Sequence, residues 1–268
     1  MRSTMLGNEI MEFKAWLLGK YSKATANTYA KRLAVLLEGQ PLLDTAERLD
    51  LPLVLAKLSE IRYKNYFSQA KNALMLFCEY KDIKLSPDTL SNIRELHGTT
   101  KKKYRKMKPV EFSEVDKKIK HIKNKKLKLC YQTIIATGLH VGELASLSAR
   151  DCTIDKAEDG SVCSITFTFT GKGGKDGEAI ISAEEHPLLY ERLVELIVTA
   201  PSPSSPVFYS SGYLQSKAKE MGFTCHDLRR AYAKIEYKKC RNKAEVSKKL
   251  RHSNTRTTNI YLRSKVKV

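Results

Sequence analysis

Residues 97–109 read HGTTKKKYRKMKP: polar throughout, with six Lys or Arg among the eight residues 101–108, and closed by a proline. Such a stretch cannot enter a core, because each buried ammonium would cost several kcal/mol. It therefore separates two parts of the 268-residue chain, each of which must bury its own apolar surface. The expected organisation is a first domain over 1–97, a basic linker over 98–110 and a second domain over 111–268. A hydrophobic fraction of 42% supplies enough apolar side chains for two cores.

Charge follows the same division. The formal net charge is +19, made of +3 over 1–97, +10 over 98–128, −6 over 129–216 and +12 over 217–268. A uniformly basic surface would serve solubility alone. Two basic regions flanking an acidic one instead suit elements that face a polyanion, with DNA or RNA fitting best. Lys101, Lys102, Lys103, Arg105 and Lys106 are candidates to lie along a nucleic-acid backbone. No apolar run approaches the roughly 20 residues of a membrane span, and the start lacks a signal-peptide pattern. The six cysteines are scattered without a CxxC pair, which predicts no zinc site and reduced, mostly buried thiols of a cytoplasmic protein.

The first domain reads as helical almost throughout. Apolar residues recur at helical spacing in IMEFKAWLL and in TYAKRLAVLL, the latter after a polar start at 22–28. A shorter helix is expected over 50–59, and a third long one over 61–80 with a stripe of Tyr63, Tyr66, Phe67, Ala70, Ala73, Leu74 and Phe77. Ser86-Pro87 opens a last helix to about Leu96. In the second domain, helices are predicted near 112–123 and 127–137, followed by a short helical turn over 141–147. The run SVCSITFTFT alternates and is rich in β-branched residues, and GEAIIS can return antiparallel to it across the tip TGKGGKDG. Helices resume over 185–198 and 212–221, with VFYS an extended piece between them. Thr224 with Asp227 forms a capping box for a helix to about Cys240. The rest is expected to be helical to the end, broken near 252–255. The fold class is thus mainly α, with a small three-stranded antiparallel sheet in the second domain.

Three pieces carry polar groups suited to chemistry. In HDLRRAYA, His226 and Arg229 share one face of a helix N-terminal turn, where spare N–H groups favour anions. In RHSNTRTTNIYLR, His252 stands at a helix break and Tyr261 follows in a basic segment. Lys172 sits between glycines at the hairpin tip. Each has a plain alternative: a surface HxxR pair, a partly buried tyrosine, an ordinary turn lysine. Together, an Arg and two His can clamp the non-bridging oxygens of a phosphodiester while a Lys acts as general acid and a Tyr hydroxyl attacks phosphorus. That chemistry needs neither metal nor cofactor.

The order ATGLHVGEL, GKGGK, HDLRR, LRHSNTRTTNIYL resembles the tyrosine recombinase (phage-integrase) family, nearest its Xer-like and mobile-element members. The resemblance implies a helical SAM-like core-binding domain, then a mixed α/β catalytic domain, the two forming a C-shape around duplex DNA. By position it assigns Tyr261 as nucleophile, Arg229 and His252 to the scissile phosphate, His226 to proton movement, Lys172 to the departing 5′ oxygen and Glu143 to ordering the site. Arg230 and Arg251 join the linker cations as DNA contacts. It further implies double-stranded DNA with inverted-repeat half-sites, a homodimer on each site, a tetrameric synapse, accessory proteins in some systems, and a nucleoid-associated cytoplasmic location. A DNA-binding relative with little cleavage is the alternative, and a type IB topoisomerase a more distant one.

Two departures stand out. The family pattern has arginine where this chain has His140, and a histidine is shorter and cannot present a bidentate fork. Loss of one transition-state clamp costs a few kcal/mol. Either the site has a gap or another cation fills it, with Arg251 the first candidate, where the family has glycine, and Arg150 or Lys175 the others. Only seven residues follow Tyr261, so the family's docking of a C-terminal segment on a neighbour is expected to be abbreviated or carried by the helix around the tyrosine.

Overall fold

The computed structural model describes residues 2–38, 49–96, 109–156, 162–171, 174, 176–252 and 254–268. The chain divides into two compact units, Met1–Lys106 and Met107–Val268. Lys101, Lys102, Lys103, Arg105, Lys106, Lys172 and Lys175, singled out in the sequence, fall outside the described residues.

The first unit holds α1 (Arg2–Leu18), α2 (Lys23–Leu37), α3 (Leu51–Ser59), α4 (Lys64–Tyr80) and α5 (Pro87–Glu95). Side-chain caps set three of the starts. Ser22, Asp50 and Ser86 accept the N–H groups of Thr25, Leu53 and Thr89, and proline fills the first turn of α3 and α5. The core is the convergence of the apolar faces: Phe13, Leu17, Leu33, Leu36, Leu74 and Phe77 are all buried, with Phe13 edge-on to Phe77 at 5.4 Å between ring centroids. Glu9 is buried beneath Lys81, at 2.6 Å. The expected stripe of α4 holds from Phe67 to Phe77, but Tyr63 precedes the helix and is 52% exposed.

The second unit holds β1 (Val110–Glu111), α6 (Phe112–Lys120), α7 (Lys125–Thr137), α8 (Val141–Ser146), β2 (Cys152–Lys156), β3 (Val162–Thr170), β4 (Asp176–Ser182), α9 (Pro187–Val198), α10 (Ser211–Glu220), α11 (Cys225–Cys240), α12 (Lys243–Lys249), α13 (Thr255–Leu262) and β5 (Val266–Lys267). Strands β2, β3 and β4 form an antiparallel sheet in that order. Ile165, Phe167 and Ile181 point inward and are fully buried against a core that includes Tyr131, Ile134 and Leu193. The buried Tyr131 hydroxyl donates to the Leu214 carbonyl at 2.8 Å, so a polar group inside this core is satisfied. The chain is mainly helical with one three-stranded antiparallel sheet, as its sequence predicts. Among the described residues no helix is long and apolar enough to cross a membrane.

One expectation is corrected. The chain does not stay helical to its end: Val266–Lys267 pairs in parallel with Val110–Glu111, at the boundary expected between linker and second domain. The alternation of Lys265-Val266-Lys267-Val268 explains this, since Val266 is 2% exposed while Lys267 reaches Glu111 at 2.8 Å. Lys234 of α11 fastens the turn by donating to the carbonyls of Ser264 and Val266 at 2.8 and 2.6 Å. The stretch VFYS, expected as an extended piece, carries no named strand. A single bridge joins Ser148 to Pro206, and Val207 and Phe208 then turn into the core.

Gly138 ends α7 in the left-handed conformation, φ +64°, and its N–H caps back to the Ile134 carbonyl at 2.9 Å. A Cβ there would collide with the ring of Tyr232. Gly138→Ala is therefore expected to destabilise the protein by about 2 kcal/mol or more, read as a lowered midpoint in urea unfolding without change of slope.

Candidate functional site

Arg229, in the second turn of α11, has a side chain only 7% exposed. Its Nη1 donates to the Gly138 carbonyl and lies 3.5 Å from Glu143 Oε2, and its Nη2 donates to the Leu250 carbonyl at 2.6 Å. Gly138 ends α7 and Leu250 ends α12. The guanidinium thus sits against the carbonyl ends of two helices, where unsatisfied C=O groups concentrate negative potential.

Glu143 occupies the first turn of α8, and its Oε2 accepts the His140 N–H at 2.7 Å. The same oxygen lies 3.5 Å from Arg251 Nη2. One carboxylate oxygen therefore serves a helix cap and two guanidinium groups. His140 is the N-cap of α8, its Nδ1 accepting the Gly142 N–H at 3.1 Å. An accepting Nδ1 bears no hydrogen, so the neutral ring carries it on Nε2. The His140 ring meets that of His226 edge-on, 5.1 Å between centroids.

Thr224 and Asp227 form the anticipated capping box at the start of α11, and Asp227 also holds Arg230 at 2.9 Å. That fixes His226 in the first turn, with Nδ1 3.4 Å from the Tyr261 hydroxyl. Burial, then the His140, Arg230 and Arg229 side chains, push the His226 pKa down, so its ring is a neutral acceptor at pH 7. Tyr261, on α13, is 8% exposed and packs with Tyr232, Val246 and Leu250. Its ring stands perpendicular to His252 at 4.9 Å, with the Arg230 guanidinium 5.9 Å from its centroid.

His252 Nδ1 lies 2.9 Å from the Thr258 hydroxyl. Burial, reinforced by Arg229 and Arg251, lowers its pKa to about 4. Arg251 adopts φ +57°. Its Nη1 donates to the carbonyls of Glu178 and Lys249 at 3.1 and 2.9 Å, and its guanidinium covers the Phe169 ring at 5.1 Å. It also forms part of the wall of an open cavity of about 770 Å³, shared with Asp151, Asp176 and Glu178.

Four buried nitrogens of this cluster have no hydrogen-bond partner among the described residues: Nε of Arg229, Arg230 and Arg251, and Nε2 of His252. Folded proteins leave few such groups, and donors of this kind suit an anion. Beside it stands a phenolic hydroxyl with a neutral imidazole in reach. Such a set can bind a phosphate, take a proton from an attacking oxygen and stabilise developing charge.

Of the residues picked out in the sequence, His140, Glu143, His226, Arg229, Arg230, Arg251, His252 and Tyr261 come together here. Arg150 lies exposed on a turn after α8. Sequence reasoning missed Thr258, which orients His252, and the Gly138 and Leu250 carbonyls, which hold Arg229. A buried threonine three residues before a tyrosine carries no local signal, and backbone acceptors carry none at all.

No family model and no curated protein matches the sequence. Solved structures do match. The lambda integrase dimer bound to a COC′ core site has a TM-score of 0.64 at 17% identity, covering 96% of this chain and 94% of that one. The XerH site-specific recombinase bound to difH substrate gives 0.60 at 18%, covering 88% and 74%. The Tn1549 transposon integrase in complex with transposon right-end DNA gives 0.55 at 15%, covering 95% of both. The helical first unit, the three-stranded sheet set among helices, and the likeness to these structures agree: the chain has the tyrosine recombinase fold.

Proposed function

We propose that the protein is a site-specific DNA recombinase that cleaves and rejoins DNA through a phosphotyrosine at Tyr261. The observation that carries this reading is the Tyr261 hydroxyl standing 3.4 Å from His226 Nδ1, with the His252 ring 4.9 Å and the Arg230 guanidinium 5.9 Å from the tyrosine ring and the buried Arg229 in the same cluster. A phosphodiester is the anion that such donors would hold, and the tyrosine is the nucleophile beside it. DNA as substrate is supported by the net charge of +19 and by the solved relatives, which carry DNA.

In this reaction the Tyr261 oxygen bonds to phosphorus and the bond from phosphorus to the 5′ oxygen breaks. The tyrosine proton passes to His226 Nδ1, and the departing 5′ oxygen takes a proton, with Lys172 of the hairpin tip the proposed donor. A 3′-phosphotyrosine and a free 5′ hydroxyl result, so the bond energy is kept and the strands rejoin by reversal, without a nucleotide cofactor. Arg229 neutralises the non-bridging oxygens. Thr258 donating to His252 Nδ1 leaves Nε2–H as a further donor. The first unit and the basic segment 98–110 are proposed to bind the duplex, with inverted half-sites taken by a dimer and two such dimers forming the synapse. Lambda integrase, with this fold, has been solved as a tetramer on a Holliday junction, which supports the same assembly here.

Incubation with a pool of nicked suicide duplexes of randomised sequence is expected to give an SDS-resistant protein–DNA adduct, which Tyr261→Phe abolishes while retaining the gel shift. If DNA binds tightly and no adduct forms in any variant, the protein is a binding relative.

The His252 ring is expected to stay neutral until about pH 4, against an ordinary histidine near 6.5. Because the unfolded chain binds the proton first, stability is full above the ordinary value and falls as pH drops through this window. NMR titration of the His252 ring checks the first statement, and a shallower acid loss of stability in His252→Asn checks the second.

A further inference from the structure

We propose that Arg251 supplies the second phosphate-binding guanidinium of the site, the role left open by His140; this rests on the recombinase reading above. His140 does not reach for an anion through Nδ1, because that atom accepts the Gly142 N–H and caps α8. Arg251 is the residue immediately before His252, whose Nε2 is one of the unpartnered donors. It shares Glu143 Oε2 with Arg229, both at 3.5 Å, so one carboxylate holds two guanidinium groups side by side.

The hydrogen bonds of Arg251 leave a particular part of it unused. Nη1 is committed to the Glu178 and Lys249 carbonyls, and Nη2 faces Glu143. Nε is buried and unpartnered, as is Nε of Arg229. Of the Arg251 donors, the Nε–H is thus the one left to meet a phosphate held by Arg229. The Arg251 side chain remains 20% exposed.

Residue 251 holds φ +57°, as Asp82 and Arg241 do elsewhere at 52° and 53°, a conformation that disfavours a residue with a Cβ by about 1–2 kcal/mol and suits glycine. A purely structural arginine would be replaced by glycine only at the cost of its carbonyl contacts, which the relaxed backbone would offset.

The test uses the full chain and the randomised nicked-duplex pool, enriched for sequences that the unaltered protein binds. Adduct formation rate, gel shift and thermal midpoint are measured for the unaltered chain, Arg251→Gly, Arg251→Lys, His140→Arg and the Arg251→Gly/His140→Arg pair. Arg251→Gly is expected to slow adduct formation by about a hundredfold or more, with the shift retained and the thermal midpoint unchanged or raised. Lysine keeps the charge without the fork, so Arg251→Lys should fall between the two. Restoring arginine at 140 in the Arg251→Gly background should recover at least about tenfold of the loss, which repair of a structural defect would not do.

The proposal is overturned if Arg251→Gly reacts within about threefold of the unaltered chain. It is also overturned if the unaltered chain is inert while His140→Arg alone reacts, since the second position is then simply open; the recombinase reading survives both results. Should Arg251→Gly lose its fold, the Arg251→Lys rate decides, an unchanged rate counting against the proposal. Absence of adduct in every form, despite tight binding, removes the recombinase reading and this role together.

Discussion

A guanidinium taken out of water must be met by acceptors, or its desolvation outweighs whatever it binds. The two terminal nitrogens of Arg229 meet that condition only because three separate pieces of chain converge on them, while its Nε has no partner among the described residues. The last carbonyls of α7 and α12 and the carboxylate of Glu143 all face it. Each of those pieces is held by its own local chemistry: Gly138 turns α7 off in a left-handed residue, Glu143 is tied down by the cap of α8, and Leu250 ends α12 just before the strained Arg251. Once Arg229 is seated, the face of α11 one turn earlier presents His226, and the segment following Leu250 presents His252 and Tyr261. The site is therefore a consequence of how one buried charge is satisfied.

The position of His140 shows how a side chain beside the cluster can serve the fold. An N-cap needs a short acceptor, and the imidazole Nδ1 provides one. Arginine has no acceptor at all. With histidine there, α8 starts firmly and Glu143 is drawn back onto the His140 backbone. The neighbouring cation, Arg251, lies 3.5 Å from the same carboxylate oxygen.

Much of this was legible in the sequence. The capping box of Thr224 and Asp227, the alternation in SVCSITFTFT and the three-residue spacing of His226 and Arg229 each state a local rule, and each appears as read. What stayed hidden depends on distant partners. That Thr258 orients His252, or that Glu178 lends its carbonyl to Arg251, follows from contacts between pieces far apart in the chain. The terminal strand was misread for a related reason. Two residues are too few to show a period, and their pairing partner lies more than 150 positions earlier. The hairpin tip carries its lysine in the sequence alone, since Lys172 falls outside the described residues.

The pairing of β1 with β5 closes the second unit into a loop, its opening strand clasping its final one. Tyr261 lies just inside that clasp, on the helix that leads into β5. Tension arriving along the backbone at Pro109 would be transmitted through two strand residues and the Lys267–Glu111 ion pair to the far side of Tyr261. The chain entering this unit and the chain leaving α13 therefore share one mechanical anchor, so that a pull at Pro109 is a pull on the tether of Tyr261.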